Sequence, residues 1–220
     1  MLEARALRKT FGRTVALDGV SLEIGDGEIV AITGPSGSGK STLLHCLAGI
    51  IRPESGEVHF DGRRVDTLDD ADRTKLRRES FGVVFQSGGL IPELTAEENV
   101  ALPLLFNRHG RQESLLAARS RLERLEVADC AARRPGELSG GQLQRVAVAR
   151  ALVTGPRVVF ADEPTGALDS LAGERVMDEL VGTARADGTT LVIVTHDNRV
   201  AAYADREIVL RDGRMAGVTV

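Results

Sequence analysis

The sequence has 220 residues, enough for one large domain, or for a core with a modest subdomain, that buries a sizeable apolar interior. Hydrophobic residues make up 42% and charged residues 27%, which is typical of folded globular proteins and excludes disordered or fibrous classes. The formal net charge is −4 and no stretch is strongly basic, so no nucleic-acid partner is expected.

Membrane insertion, secretion and disulfide bonding are not expected either. The apolar stretch Ala101–Phe106 is far shorter than the roughly 18 residues that indicate a membrane-spanning helix. The first residues, Met1–Arg5, lack the basic and apolar regions of a secretory signal. Cys46 and Cys130 are far apart and in no paired motif, which favours buried, reduced thiols. Together these features predict a protein that stays in the cytosol.

The first strong signal along the chain is a strand followed by a glycine-rich loop. Glu28–Thr33 is short, apolar and without alternation, which predicts a central parallel strand buried on both faces. The sequence GPSGSGKS follows, and a plausible helix then covers Thr42–Ala48. This arrangement predicts a P-loop, in which backbone N–H groups and a helix N-terminus bind phosphate oxygens, and it disfavours a plain Gly/Ser-rich turn. The phosphate-binding residues would be Gly34, Pro35, Ser36, Gly37, Ser38, Gly39, Lys40, Ser41 and Thr42.

Two side chains of this loop have specific expected roles. Lys40 would reach the β- and γ-phosphates, and the Ser41 hydroxyl would be a ligand of Mg²⁺. Taken alone, the loop indicates only that a nucleoside triphosphate or a monophosphate donor binds.

The middle of the chain changes from strand-like to helical patterns. Asp61-Gly62 interrupts an alternating segment and predicts a β-hairpin. Thr95–Glu98 has the form of a capping box, so a helix should begin near Ala96. A second, amphipathic helix is indicated by apolar residues at helical spacing, namely Leu115, Ala118, Leu122 and Leu125. Without a linker or repeat, the region of about 87–156 is predicted to be a helical subdomain inserted in an α/β core.

A second helix N-terminus suited to anions follows within this region. Ser139 is a plausible N-cap, Gly140 and Gly141 permit close backbone approach, and Gln142 completes the segment LSGGQ. One helix terminus is enough to hold a triphosphate, so this one is expected to serve a nucleotide that is bound by another copy.

The remaining strands place polar residues at their ends. Arg157–Ala161 is a predicted buried strand that leads to Asp162 and Glu163, and open α/β sheets bind ligands at such ends. Asp162 suits a magnesium shell, whereas Glu163 points in another direction and could polarise a water aimed at the γ-phosphate. A solvated turn is the alternative for this pair. A third buried strand, Leu191–Thr195, and a hairpin at Asp212-Gly213 complete the pattern.

The segments GPSGSGKS, LSGGQ and VVFADE, in this order, closely resemble the ATP-binding cassette family over essentially the whole chain. The resemblance implies a single domain, 1–220, of α/β class. It would have a P-loop NTPase core with a mainly parallel central sheet, an N-terminal antiparallel β subdomain and the inserted helical subdomain.

The resemblance also implies roles for residues outside the three motifs. Gln86 would touch magnesium and the attacking water and sense a membrane partner, with a plain strand-end glutamine as the alternative. The loop Ala167–Asp169, with Asp169 as its binding residue, would cross a dimer interface. His196 would be the switch histidine at the γ-phosphate, where a structural histidine is the alternative. Phe11 is the candidate ring for stacking on adenine, and core packing is its alternative.

The implied activity is ATP hydrolysis with Mg²⁺ by two copies that close around two nucleotides and drive an integral-membrane permease from the cytoplasmic face. The permease would dock on Gln86–Leu105. The segments FQSGGLIPELTAEENVALPL and RRPGELSGGQLQRVAVARAL resemble stand-alone cassettes of macrolide-efflux, lipoprotein-release and antimicrobial-peptide-resistance systems. The alternatives are a soluble cassette ATPase of cofactor assembly or repair, and a nucleotide-gated scaffold that works mechanically without moving cargo.

Overall fold

The structure is a computed structural model that describes residues 2–86, 88–166 and 168–219. Ser87, in the expected docking region, and Ala167, in the expected interface loop, lie outside the described residues. The strands are β1 (Leu2–Phe11), β2 (Thr14–Ile24), β3 (Ile29–Thr33), β4 (Ser55–Phe60), β5 (Arg63–Arg64), β6 (Phe81–Val84), β7 (Val158–Asp162), β8 (Thr190–Val194), β9 (Arg206–Arg211) and β10 (Arg214–Thr219). The helices are α1 (Lys40–Leu47), α2 (Asp70–Ser80), α3 (Ala96–Phe106), α4 (Arg111–Arg124), α5 (Gly140–Leu152), α6 (Ser170–Asp187) and α7 (Asn198–Ala201).

The central sheet has six strands in the order β10-β9-β3-β8-β7-β6, and every neighbouring pair except β10 with β9 is parallel. All residues of β3, β7 and β8 are buried. Along β8, Leu191 and Ile193 face one apolar cluster whereas Val192 and Val194 face the other. Burial on both faces explains why these strands are continuously apolar, and the three predicted central strands are confirmed.

The second sheet is antiparallel, with the order β2-β1-β4-β5, and it packs together with α1 on one face of the central sheet. Both predicted hairpins are confirmed. Asp61 and Gly62 have φ of 50° and 74°, and Asp212 and Gly213 have 49° and 73°. Positive φ at both central residues is the type I′ pattern that Asp-Gly favours. The first hairpin joins β4 to the two-residue β5, and the second adds β10 to the edge of the central sheet.

Helices α3, α4 and α5 pack on one another. They lie in the part of the chain between β6 and β7, where the sequence predicts a helical region. The capping box is confirmed, because the Glu98 N–H donates to Thr95 Oγ1 at 3.2 Å and the Thr95 N–H donates to Glu98 Oε2 at 3.0 Å. α4 buries Ala118 and Leu122, as its apolar spacing predicts. α1 begins at Lys40, two residues before the predicted helix, since the P-loop runs directly into it.

Two long helices have no counterpart in the sequence predictions. α2 buries none of its residues, so it lacks the apolar stripe that would reveal it. α6 buries Val176, Leu180 and Ala184 at intervals of four, begins at an Asp169 N-cap and ends at Gly188 with φ of 65°. The four-residue spacing of these apolar side chains, the Asp before the helix and the Gly after it are sequence signals that would have predicted α6. In the part of the chain that the structure describes, no helix is long and apolar enough to cross a bilayer.

Three phenylalanine rings connect the two sheets. Phe81 on β6 packs edge-to-face on Phe160 of β7 at 5.2 Å between ring centroids, and on Phe60 of β4 at 5.0 Å. Phe160 is fully buried two residues before Asp162, so its packing fixes the strand from which the carboxylates project. Both cysteines are buried, as predicted, and burial raises the pKa of Cys46 to about 12.

We expect Phe160→Ala to lower the free energy of unfolding by about 3–5 kcal/mol, because it removes a fully buried ring and leaves a cavity. Phe160→Leu, which keeps most of the volume, should cost under about 1.5 kcal/mol. Urea unfolding of the three proteins measures both values. A loss below about 1 kcal/mol for the alanine variant would contradict this view of the core.

Candidate functional site

The loop between β3 and α1 lies close against two other backbone segments. A Cβ at Gly34, where φ is 138°, would lie 2.0 Å from the Leu210 carbonyl oxygen. A Cβ at Gly39, where φ is 100°, would lie 2.2 Å from the Ala16 carbonyl oxygen. Only glycine fits at these two positions, which fixes the loop across the carboxyl end of the sheet.

Lys40 is buried at the base of this loop, with 8% of its surface exposed. Its Nζ donates to the carbonyl oxygens of Gly34 at 2.8 Å and Pro35 at 3.0 Å. Within the described ranges no carboxylate lies at ion-pair distance from it. A buried ammonium held only by neutral carbonyls is electrostatically undercompensated, so an anion here would stabilise it.

Other loop groups also suit an anion. The Ser38 Oγ is buried and has no hydrogen-bond partner in the described part of the chain. The first turn of α1 contains no acidic residue, so the positive end of the helix dipole is not neutralised. Pro35, Ser36 and Gly37 are exposed at the top of the loop, and Thr42 lies in the first turn of α1. The residues present therefore fit a polyphosphate.

Asp162 and Ser41 meet beside this loop. The Ser41 hydroxyl donates to Asp162 Oδ1 at 3.0 Å, and only 5% of Asp162 is exposed. Burial raises the pKa of Asp162, while the Ser41 hydrogen bond and the nearby His45 oppose the shift. A carboxylate and a hydroxyl are oxygen ligands of the kind that Mg²⁺ prefers. No group of three or more His, Cys, Asp or Glu capable of holding a metal is found among the described residues, so an ion here would also need water or phosphate oxygens.

Glu163 faces a different partner from Asp162, as predicted. Its Oε1 lies 2.7 Å from Nδ1 of His196, and the Thr195 hydroxyl donates to its Oε2 at 3.4 Å. Glu163 is largely buried, whereas 72% of the His196 side chain is exposed. Glu163 therefore supplies a carboxylate held in one orientation at the same end of the sheet as the phosphate-binding loop. His196 lies on the solvent side of this carboxylate.

The backbone of Glu163 is strained. Its φ is 48°, in the left-handed region that non-glycine residues rarely adopt. Such a conformation costs of order 1–3 kcal/mol and tends to occur at functional sites. The Glu163 N–H donates to the Val194 carbonyl at 2.9 Å, which holds the residue at the end of β7.

The LSGGQ segment forms the tip of α5. Ser139 is the N-cap, accepting from the Gln142 N–H at 3.3 Å, and its own N–H donates to Gln142 Oε1 at 2.9 Å. Ser139 and Gly140 are exposed, and the first turn of α5 has no acidic residue. A Cβ at Gly141 would lie 3.3 Å from Leu168 Cδ2, so the tip lies beside the loop before α6. No hydrogen bond between described residues joins this tip to the P-loop of the same chain.

The three other candidates are placed as follows. Gln86 lies on an exposed turn after β6, and because Val84 pairs with Ala161 it extends beyond the same sheet end as Glu163. Asp169 accepts from the Ala172 N–H at 2.9 Å as the N-cap of α6. Phe11 is 50% exposed at the end of β1, so the alternative that it packs in the core is wrong. The Lys9 ammonium lies 5.5 Å from the centre of its ring.

Two residues of the site were not predicted. Thr195 contacts Glu163, and its position just before His196 at a strand end was a usable signal. His45 lies one helical turn after Ser41, where an i, i+4 reading of α1 could have found it. Its ring centre is 6.1 Å from that of Phe85, and its buried Nε2 has no partner among the residues that the structure describes.

Comparison with known proteins gives a consistent result. A model of the family described as "ABC transporter" matches residues 17–166. The chain is 46% identical over 223 residues to the uncharacterized ABC transporter ATP-binding protein MJ0796 of Methanocaldococcus jannaschii, covering 98% of this chain and 95% of that one. It is 45% identical to the lipoprotein-releasing system ATP-binding protein LolD of Geobacter metallireducens, covering 98% and 97%. It is 44% identical to the macrolide export ATP-binding/permease protein MacB of Nitrosomonas europaea, of which it spans only 34%.

Solved structures agree. The dimeric post-hydrolysis state of the ATP-binding cassette MJ0796 bound to ADP and Pi superimposes with a TM-score of 0.95 at 44% identity, covering 100% of this chain and 98% of that one. The predicted fold class, a P-loop NTPase core with antiparallel and helical additions, is thereby confirmed.

The raised pKa of Asp162 predicts an unusual pH dependence of stability. The folded protein binds this proton more tightly than the unfolded chain, so the contribution is present below about pH 3.9, the ordinary value, and is lost as pH rises through the raised pKa. Without nucleotide or metal, we therefore expect Asp162→Asn to raise the free energy of unfolding near pH 7 and to change it little near pH 4. Urea unfolding at both pH values tests this, and an asparagine variant less stable than wild type near pH 7 would contradict it.

Proposed function

The chain belongs to the ABC transporter family, and on this premise we propose that it is the ATP-hydrolysing subunit that energises a membrane-embedded permease. The observation that carries the proposal is the division of the site. The phosphate-binding loop, Asp162, Glu163 and His196 converge at one end of the sheet, whereas among the described residues no hydrogen bond joins the exposed tip of α5 to that loop of the same chain. Two copies are needed to bring the two halves together.

Nucleotide binding would relieve the undercompensated charge in the loop. Lys40 would exchange two neutral carbonyls for β- and γ-phosphate oxygens, and the backbone N–H groups of the loop, which Pro35 lacks, would bind the remaining oxygens. The exposed ring of Phe11 would stack on adenine. Stacking without a polar group discriminates weakly between bases, so selectivity for adenine should be modest.

Mg²⁺ would be held by Ser41 and Asp162, whose side chains already meet, with Gln86 as a further ligand at the same end of the sheet. When bound, the ion neutralises charge on the β- and γ-phosphates.

Hydrolysis would use the pair Glu163 and His196. Glu163 would accept a proton from the attacking water, and His196, with Thr195, would hold its carboxylate in orientation. The left-handed backbone of Glu163 turns this carboxylate away from Asp162, so that one residue serves the metal and the next serves the water. A positioned general base contributes about 10²- to 10⁴-fold in rate.

The second copy would complete each site. Ser139 and Gly141, together with Gly140 and Gln142, would present the positive end of α5, whose first turn has no acidic residue, to the γ-phosphate bound by the other copy. Asp169, at the start of α6 and beside the Leu168 that packs on this tip, would lie at the dimer interface. ATP would thus join the copies, and its hydrolysis would separate them.

The transport role rests on the relatives. LolD and MacB are named for lipoprotein release and macrolide export, so we place this chain in an export, lipoprotein-release or mechanically acting system rather than with cofactor-assembly or repair ATPases. In this proposal residues 1–220 are a single cassette whose helical subdomain, roughly 87–156, carries the permease-docking surface from Gln86 to Leu105. Ile91, 38% exposed, lies within that surface. The complex would lie on the cytoplasmic face of the membrane.

Glu163→Gln tests the general base. Glutamine keeps the size of Glu163 and one acceptor oxygen but cannot take a proton, so we expect kcat to fall by about 10²- to 10⁴-fold with ATP affinity retained. An ATP-dependent dimer should then accumulate in size-exclusion chromatography. Glu174→Gln, which neutralises an exposed carboxylate on α6, is the control and should hydrolyse normally. Near-normal turnover of Glu163→Gln would remove this residue from its role.

A mixing experiment tests whether each site is shared. Lys40→Ala and Ser139→Arg should each be inactive alone. A heterodimer of the two contains one intact site, built from the loop of the second variant and the helix tip of the first. An equal mixture should therefore regain about one quarter of wild-type turnover if half the dimers are mixed and the sites act independently. Activity of either variant alone, or no gain although heterodimers form, would argue against a composite site.

A further inference from the structure

Arg150, in the last turn of α5, is bonded to the loop that follows Gln86. Its Nη1 donates to the Gly89 carbonyl at 2.7 Å and its Nη2 to the Gly88 carbonyl at 2.8 Å. Burial lowers the pKa of Arg150, and none of the carboxylates in the described ranges is within ion-pair distance. The free energy of a partly desolvated guanidinium whose acceptors are two loop carbonyls depends on the position of that loop.

The same loop runs along α5 toward its tip. Gly88 and Gly89 have φ of 72° and 57°, which turns their carbonyls toward Arg150. A Cβ at Gly88 would lie 3.8 Å from both Ala147 Cβ and the Leu143 carbonyl oxygen. The Leu143 N–H in turn donates to the Ser139 carbonyl at 2.9 Å. The loop thus contacts α5 within one turn of the residue that caps it.

The far end of the loop is fixed separately. Asn99 of α3 is fully buried, accepts from the Ile91 N–H at 2.7 Å and donates to the carbonyls of Ile91 at 3.0 Å and Leu94 at 3.2 Å. With one end held by Asn99 and the middle by Arg150, the exposed turn at Gln86 is the part on which a partner can act.

We infer that Arg150 is a positioning residue that makes the orientation of Ser139 depend on the position of the Gln86 turn. If Gly88 and Gly89 are displaced, α5 either follows or leaves a partly buried guanidinium without its two acceptors. The helix follows as a rigid body, because Arg150 and Gly140 are joined by about 15 Å of continuous helix. This inference rests on the proposed function, since it is the second copy's nucleotide that Ser139 would meet.

Arg145 supplies a matched control on the same helix. Its Nη1 also donates to two carbonyls, those of Leu125 at 3.3 Å and Glu126 at 3.2 Å, but these belong to the turn after α4. Arg150→Met and Arg145→Met therefore remove the same type of contact from one helix, and only the first releases the loop after Gln86. Arg150→Lys keeps the charge without the planar pair of donors.

The experiment measures ATP-dependent dimerisation of each variant in the Glu163→Gln background by analytical ultracentrifugation. Separately, it measures the ATP affinity of the monomer. The values of kcat and KM are measured for the same Arg150 and Arg145 variants with Glu163 unchanged. We expect Arg150→Met to weaken the dimer by about tenfold and to lower kcat, with ATP affinity of the monomer unchanged. Arg150→Lys should recover part of both, and Arg145→Met should match wild type.

Hydrogen exchange keeps the test decisive if Arg150→Met does not fold. Amide exchange in Arg150→Lys should be faster both in 88–95 and in 139–143, whereas Arg145→Met should change neither segment. Equal dimerisation of the Arg150 and Arg145 variants, or faster exchange in 88–95 alone, would overturn the inference. A wild-type chain that never dimerises with ATP would instead refute the proposed function, so the two failures are distinguishable.

Discussion

The parallel register of β3, β8 and β7 is the constraint from which the site follows. Val194 of β8 pairs with Ile32 on one side and with Asp162 on the other, so the phosphate-binding loop, the two carboxylates and His196 leave the sheet at one level. Parallel strands require both faces to be covered, and the two apolar clusters cover them. The strands that carry the polar groups are therefore fully buried, which suits a site that must hold reacting groups in place.

That burial supports several locally unfavourable features. Lys40 is buried against neutral carbonyls, burial raises the pKa of Asp162, and Glu163 has a left-handed backbone. Each would destabilise an isolated segment, and each is held by surrounding packing or by bonds to neighbouring strands. A phosphate beside Lys40 and a cation beside Asp162 would compensate the first two. The free energy that these features cost in the unliganded protein is thus available to favour binding of nucleotide and metal.

The chain presents two separate surfaces of one reaction. The loop side supplies the phosphate-binding groups, the metal ligands and the base, while the tip of α5 offers another molecule a helix N-terminus with no acidic residue in its first turn. Both are linked through the body of the protein, since the loop after Gln86 is bonded to Arg150 on the helix that ends at Ser139. A displacement at Gln86 and a contact at Ser139 both act on α5, one through Arg150 and the other at the N-cap. This is the physical basis for coupling between a docked partner and the closing of two copies.

The features that could be predicted from the sequence are those whose signals are local. The P-loop, the capping box before α3, the N-cap at Ser139, both Asp-Gly hairpins and the three buried strands each depend on a few neighbouring residues, and all are present. Contacts between groups that are distant along the chain depend on how the strands and helices are arranged in space. His196 and Glu163 are 33 residues apart, and Arg150 and Gly88 are 62 apart, and no local pattern encodes either contact. The strained backbone of Glu163 is likewise held by a tertiary contact, since its N–H is bonded to Val194 of β8 and that bond depends on how the strands are ordered in the sheet.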